Sequence, residues 1–294
     1  MSGGRLERSL DIFGDDTGDN ISALNPFYGE LTGHYWLWRN ETDADIIGIC
    51  HYRRYFWNAQ RKPLTIREYE QLLEDCDVLV TNRITGDITY RTSFGRAHNV
   101  KDLDLMGAVI RELYPMDYPA YEEVIGGYDQ YYANMYAMRK SLFDEFCAWM
   151  FSIFAELGDR VDLAGYDDYH KRLFGFLSEN LIMVYAKARG LKLNEGTVGI
   201  VAEKAETVEF KLALAQMVKL GRFDEALSLF YEYLKIRPDV ELALSDLRGE
   251  IPIIEQILMR LAEEKKTGRT GLYEISQDLF ALINYVKKHD LAEA

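Results

Sequence analysis

The residues of this chain best suited to chemistry are His51, Arg53 and Arg54. They close the run Asp45-Ile46-Ile47-Gly48-Ile49-Cys50-His51-Tyr52-Arg53-Arg54-Tyr55-Phe56. An apolar stretch of strand character delivers one histidine and two arginines framed by aromatics. The planar guanidinium fork matches phosphate oxygens better than any other side chain. Ligands of open α/β sheets bind outside the carboxyl ends of the strands. The run therefore predicts a grip on a phosphate. Side chains alternate along a strand. A continuous strand puts His51, Arg53 and Tyr55 on one face, expected to line the cleft, and Tyr52, Arg54 and Phe56 on the other. The competing reading pairs both arginines with acidic neighbours as structural ion pairs.

Four other groups carry candidate chemistry. Asp16, Asp19 and Asn20 lie in the turn-rich stretch 11–22 ahead of a helical pattern, where capping competes with ligand contact. His98 stands near Asp102 and Asp104. Asp102 could join His98 on substrate or metal, or only favour the helix dipole from its first turn. Asp168, Arg172, Gly175 and Glu179 recur at spacings of four, three and four, which puts them on one face of a helix read over 167–188. Phe176, Leu177 and Leu181 make that helix largely buried, so Glu179 is a carboxylate whose pKa burial could raise into the range of a general base. Its alternative role is as a structural partner of Arg172 or of a backbone amide. Asn134 sits on a strand read over 131–138. Asp43-Ala44-Asp45 is literally Asp-x-Asp, but it precedes its strand, at the wrong end for a ligand.

Composition narrows the partners. With 34 basic and 48 acidic residues the net charge is −14. A nucleic-acid binder needs a basic footprint, and a polybasic membrane anchor is disfavoured equally. A small anionic ligand suits a local basic cluster on an acidic background. Three cysteines without a CxxC spacing read as inert thiols of a reducing compartment. No apolar run approaches bilayer length, and the charged N-terminal stretch is no secretion signal. The expected location is the cytoplasm, with peripheral attachment at the inner face of the membrane as a variant.

The elements that must position these residues alternate. Helix periodicity runs over 23–40, a buried strand over 46–52, and a capping box at Thr65-Ile66-Arg67-Glu68 opens a short helix. A strand follows at 77–81, then a long loop over 82–100, a helix over 102–113, a strand over 131–138, a strongly apolar helix from Leu142 to Phe154, the helix over 167–188 and a short strand at 191–193. Such alternation predicts an α/β domain with a mostly parallel sheet. After residue 203 the pattern is helical throughout. Gly221, Ala226 and Pro238 there resemble the marks of one tetratricopeptide unit, and one unit needs a partner for its apolar face.

Three segments resemble a bacterial family annotated mainly as a domain of unknown function and found in glycosyltransferases of capsule, exopolysaccharide and O-antigen synthesis. The first is Asp16-Thr17-Gly18-Asp19-Asn20-Ile21-Ser22, continuing through Asn25, Glu30-Leu31-Thr32, Tyr35-Trp36 and Trp38. The second is Gly48 through Phe56 with its HYRRYF ending. The third is Asn134-Met135-Tyr136-Ala137-Met138, then Phe143, Cys147, Trp149 and Phe151, then Arg172 and Gly175-Phe176-Leu177-Ser178-Glu179. The resemblance spans about residues 12–195. It implies a GT-A-like nucleotide-sugar transferase, some of whose relatives transfer galactofuranose. It departs in three places. The family's opening strand and loop are short here, its histidine-rich loop survives only as His98, and its Ser-Glu-Arg-Leu reads Ser178-Glu179-Asn180-Leu181.

Together these readings predict a GT-A-like, Rossmann-like α/β domain over 1–203 and a helical extension over 204–294 that resembles a tetratricopeptide unit. The expected function is transfer of a galactofuranosyl or hexosyl group from a nucleotide-sugar, a UDP-sugar foremost, to a glycan or lipid-linked glycan of the bacterial surface. Glu179, His51 and Asp102 are the expected catalytic residues. Arg53, Arg54, Asp16, Asp19, Asn20, His98, Asn134 and Arg172 are the expected substrate contacts. Cations in place of a ligating Asp-x-Asp leave no firm metal site, with Mn or Mg as the candidate ions. The tail would make a homodimer or hold a partner chain. The competing class is a noncatalytic assembly protein derived from the same fold.

Overall fold

The computed structural model describes residues 14–51, 53–236, 248–269 and 271–289. The chain divides after Gly199 into two compact units.

The first unit opens with a 3-10 turn, Ser22–Leu24, and two helices, α1 (Asn25–Tyr28) and α2 (Leu31–Asn40). A single helix over 23–40 was expected. Gly29 breaks it at φ +55, a conformation open to glycine and costly for other residues. Then come β1 (Ile46–Ile49), β2 (Arg54–Phe56), α3 (Ile66–Leu72), β3 (Val78–Thr81) and β4 (Ile84–Thr85). The Thr65–Glu68 capping box on α3 forms as its sequence predicts. The stretch 82–100, expected to be a loop, contains α4 (Tyr90–Gly95), started by the Thr89 side chain. Next are α5 (Val100–Leu113), α6 (Tyr118–Gly126), β5 (Asp129–Gln130), β6 (Tyr136–Arg139) and α7 (Lys140–Arg160). The helix expected over 167–188 is three pieces: a 3-10 turn at His170–Arg172, α8 (Leu173–Ser178) and α9 (Leu181–Arg189). The strand expected at 191–193 is β7 (Leu193–Gly196), followed by β8 (Val198–Ile200).

The central sheet has the order β1-β6-β3-β7. It is mixed, which corrects the expected mostly parallel sheet. β6 runs antiparallel to both β1 and β3, whereas β3 and β7 are parallel. Strand–helix alternation counts elements but does not encode the direction in which a strand enters the sheet. Here β6 enters between two strands that precede it in sequence. It passes straight into α7, whose first amide, at Lys140, donates to the Asp45 carbonyl. Beside the sheet lies an apolar core in which Leu103, Val109, Phe143, Cys147, Ile153, Phe154 and Leu157 are fully buried. Burial of that kind is worth about 1.5–3 kcal/mol per large side chain and holds the strand ends in register.

The second unit is helical: α10 (Ala205–Lys219), α11 (Phe223–Ile236), α12 (Ile251–Thr267), α13 (Leu272–Ile275) and α14 (Leu279–Val286). Its own core includes Leu214, Val218, Ala226, Ile254, Leu258, Leu261 and Leu282. Gly221 turns the chain between α10 and α11 at φ +67, and Phe210 stacks on Tyr233 at 4.0 Å. Pro238 lies outside the described residues. Lys211 is 2% exposed. It is held at 2.9 Å by both Glu203 and Glu250. Among the described residues no helix is long and apolar enough to cross a membrane.

Candidate active site

The candidate site is built around a turn that takes the first half of the strand expected over 131–138, of which Tyr136 to Met138 do form β6. Between β5 and β6 the backbone bends through Ala133 at φ +76 and Asn134 at φ +47. Asparagine enters this left-handed region with local help, whereas alanine pays a steric penalty there. Such a conformation persists only when its surroundings over-determine it, and here they do. The Ala133 amide donates to Glu179 Oε1 at 3.3 Å. The Ala133 carbonyl accepts from His51 Nε2. Asn134 is 5% exposed. Its Nδ2 donates to Glu30 Oε1 at 2.8 Å and to the Gly175 carbonyl at 3.2 Å, and its Oδ1 accepts from Ser178 Oγ at 3.0 Å. Asn180 Oδ1 accepts from the Tyr131 amide at 2.9 Å, so the break between α8 and α9 fastens to the same loop.

The break between α8 and α9 also sets the chemistry of Glu179. The side chain keeps part of its surface open, yet protein atoms crowd its carboxyl. Burial pushes the pKa up to about 8, with Glu30 adding to the rise and the Ala133 amide and Arg54 opposing it. A carboxyl tuned there can take a proton near neutral pH. Because the Ala133 carbonyl only accepts, His51 carries its proton on Nε2. Burial lowers its pKa and Arg54 and Arg53 lower it further, against the opposing pull of the Ala133 carbonyl and Glu30. His34 is 2% exposed. It hydrogen-bonds the Glu30 carbonyl at 3.0 Å and meets Tyr136 edge-on.

The arginines reach this site from a turn. β1 stops at Ile49, where a strand through Tyr52 was expected, and the Arg54 amide donates back to the His51 carbonyl at 3.2 Å. β2 then leaves to pair with β8. The alternation that placed Arg53 and Arg54 on opposite faces therefore does not operate. Arg53 is 3% exposed and Arg54 is half-buried. Tyr52 lies outside the described residues.

Residues 2–190 match the model of a domain of unknown function, DUF4422. The chain belongs to this family. No curated protein matches it at a significant level. It is similar to a solved structure, the apo form of the bifunctional glycosyltransferase WbbM, with 32% sequence identity and a TM-score of 0.58. The likeness covers 65% of this chain and 39% of that one, so this family member spans well under half of its neighbour.

The other predicted residues of this DUF4422 chain stand elsewhere in the hydrogen-bond pattern. Arg172 approaches Glu30 Oε2 at 3.7 Å, and Lys171, not Arg172, pairs with Asp168. The single helical face expected to carry Asp168, Arg172, Gly175 and Glu179 does not form, because the α-helix begins only at Leu173. Asp19 is tied to α2 by Arg39 at 2.7 Å and by Tyr35, and Asn20 accepts from the Ser22 amide in a local turn. Asp16 lies exposed in the same loop. The Asp102 carboxylate takes the Tyr166 hydroxyl at 2.8 Å, and burial raises its pKa. His98 stacks on Phe176 at 4.2 Å, and burial lowers its pKa to about 4. Among the described residues no three His, Cys, Asp or Glu side chains gather as a metal site. Asp45 stands at the amino end of β1. Sequence reasoning missed Glu30 and His34 as members of the site. The string Glu30-Leu31-Thr32 of the family resemblance was the available signal.

Proposed function

We propose that this chain is a GT-A-like glycosyltransferase that moves a galactofuranosyl or hexosyl group from a nucleotide-sugar, a UDP-sugar foremost, to a surface glycan or lipid-linked glycan of the capsule, exopolysaccharide or O-antigen kind. The observation that carries the reading is Glu179. It is a carboxyl raised to about 8, clamped to a strained backbone amide, and close enough to Arg54 to feel its charge. Membership of the family and the similarity to WbbM support the same class.

Glycosyl transfer needs a base for the acceptor hydroxyl and positive charge for the departing diphosphate. Glu179 takes the acceptor proton. Arg54, with Arg53 behind it, meets the diphosphate. His51, holding the Ala133 carbonyl, keeps the turn in its left-handed form. Asn134 and Arg172 border the sugar, and Asp16, Asp19, Asn20, His98 and Asp102 belong to the walls that receive donor and acceptor. Residues 1–203 form the catalytic domain. The helical extension over 204–294 acts as a tetratricopeptide-like contact unit for a second copy or a partner chain, and the enzyme works in the cytoplasm, with peripheral attachment at the inner face of the membrane as a variant.

The test is a panel of UDP-sugars with a lipid-linked glycan acceptor, run on the wild-type chain and on Glu179→Gln. Transfer by the wild type that collapses in the variant, with UDP binding intact by calorimetry, is the expected result. A folded wild-type chain that binds none of the donors overturns the reading in favour of a noncatalytic assembly protein.

A further inference from the structure

Glu30 stands in the break between α1 and α2 that Gly29 opens. Its Oε1 accepts from Asn134 Nδ2 at 2.8 Å, and its Oε2 faces Arg172 at 3.7 Å. Its backbone carbonyl accepts from His34 at 3.0 Å. Two glycines let other elements close on this point. A Cβ at Gly29 would meet Arg172 Nη2 at 3.1 Å, and a Cβ at Gly175 would lie 3.4 Å from the Tyr28 carbonyl and 3.9 Å from Glu30 Oε2. Three segments distant in sequence, 28–34, 133–134 and 172–179, thus converge on one carboxylate.

We infer that Glu30 is a positioning residue: by holding the Asn134 side chain it fixes the left-handed Ala133–Asn134 turn, and through that turn it fixes the amide that grips Glu179. The argument is one of backbone geometry. Asn134 cannot be released without freeing its φ, and the Ala133 amide that faces Glu179 belongs to the preceding residue. Glu30 also contributes charge. The groups facing Glu179 are Glu30, which resists its ionisation, and Arg54 and the Ala133 amide, which favour it. Tyr90 and Tyr132 feel Glu179 from α4 and the β5–β6 loop. Arg172, His34 and His51 face Glu30 itself. The catalytic meaning of this inference rests on Glu179 being the base of the proposed transfer.

The test reads the grip directly and needs no substrate. The Ala133 amide is followed by NMR against pH in protein labelled with nitrogen-15 at alanine, with Glu179→Gln as the control that removes the titration. In the wild type the amide shift should follow the ionisation of Glu179. Glu30→Gln keeps an acceptor for Asn134 and removes the charge. It should retain the coupling with its midpoint moved down by roughly 0.5–1 pH unit. Glu30→Ala should lose the coupling, and transfer from a UDP-sugar should fall at least about tenfold, the scale expected for a misplaced catalytic group. Loss of the coupling in a folded Glu30→Gln, which keeps the acceptor for Asn134, overturns the inference, as does wild-type coupling in a folded Glu30→Ala. If Glu30→Ala does not fold, Glu30→Gln decides alone. Intact coupling in a chain that transfers no sugar would count against the proposed function and leave the positioning role standing.

Discussion

The Ala133 amide reaches the Glu179 carboxylate at 3.3 Å from a backbone held at φ +76. A non-glycine residue in that conformation stores strain, and strain of this kind gathers at sites where geometry matters more than stability. The amide offers Glu179 a partner for its charged form, while the surrounding protein favours the neutral one. The balance leaves a carboxyl that ionises near pH 8, where an acceptor hydroxyl needs a base.

Replacing Glu179 by Gln should lower kcat by about 10²–10⁴, the usual contribution of a general base, with donor binding little changed. The wild-type rate should rise with pH toward about 8 as the carboxyl ionises. Stability runs the other way. The folded state holds this proton up to about pH 8, whereas the unfolded chain loses it near the ordinary glutamate value. The stability is complete below that lower value and declines as pH rises through the window between the two. Thermal melts of wild type and Glu179→Gln should therefore diverge between about pH 5 and 8, with the variant gaining relative to wild type at the alkaline end.

Arg54→Ala should weaken UDP binding by about 1.5–3 kcal/mol, the range of a charge-assisted hydrogen bond. It should also move the rising limb of the rate profile to higher pH, because Arg54 favours the ionised form of Glu179. Arg53 is 3% exposed, so Arg53→Ala should act mainly on folding and lower the melting temperature. Calorimetry and thermal melts on both variants separate the two roles. Equal binding losses in two equally stable proteins would refute the assignment.

Asn134→Ala removes three side-chain hydrogen bonds, to Glu30, Gly175 and Ser178. It also places alanine at φ +47. A loss of about 2–4 kcal/mol in urea unfolding is expected, from bonds worth about 1 kcal/mol each and a comparable penalty for the backbone. A loss below about 0.5 kcal/mol, the scale of an ordinary surface change, would show that the turn holds itself.

Transfer should survive a chelator. In the proposed reading the guanidinium cations of Arg53 and Arg54 meet the diphosphate, and no set of metal ligands gathers among the described residues. Complete loss with EDTA, reversed by Mn or Mg, would overturn this and point first to His98, Asp102 and Asp104 as ligands.

Lys211→Ala should destabilise the helical unit by about 1.5–3 kcal/mol, because it removes the charged hydrogen bonds to Glu203 and Glu250 and leaves Glu250 with Lys287 at 3.4 Å. A melt of the segment 200–294 expressed alone, whose core lies within itself, reads the loss without interference from the rest of the chain. An unchanged melt would mean that water already screens the pair.

Local signals were legible where they act within a few residues. Thr65 and Glu68 cap α3 because the two side chains reach each other's backbone across one turn. The apolar stripe of α7 and the continuous helical period after residue 203 fixed those elements for the same reason. Glu179 could be singled out because its apolar neighbours in sequence implied burial, the cause of its raised pKa. Three things depended on contacts between distant segments. The direction of β6 depends on the two strands that flank it. The breaks at Gly29 and Glu179–Asn180, inside runs of good helical period, depend on what those backbones must meet. The left-handed turn at Ala133–Asn134 has no local signature, since alanine disfavours it. Glu30, His51 and the adjacent pair Ser178 and Glu179 impose it from three places in the chain, so only the tertiary structure could place Glu30 and His34 at the site.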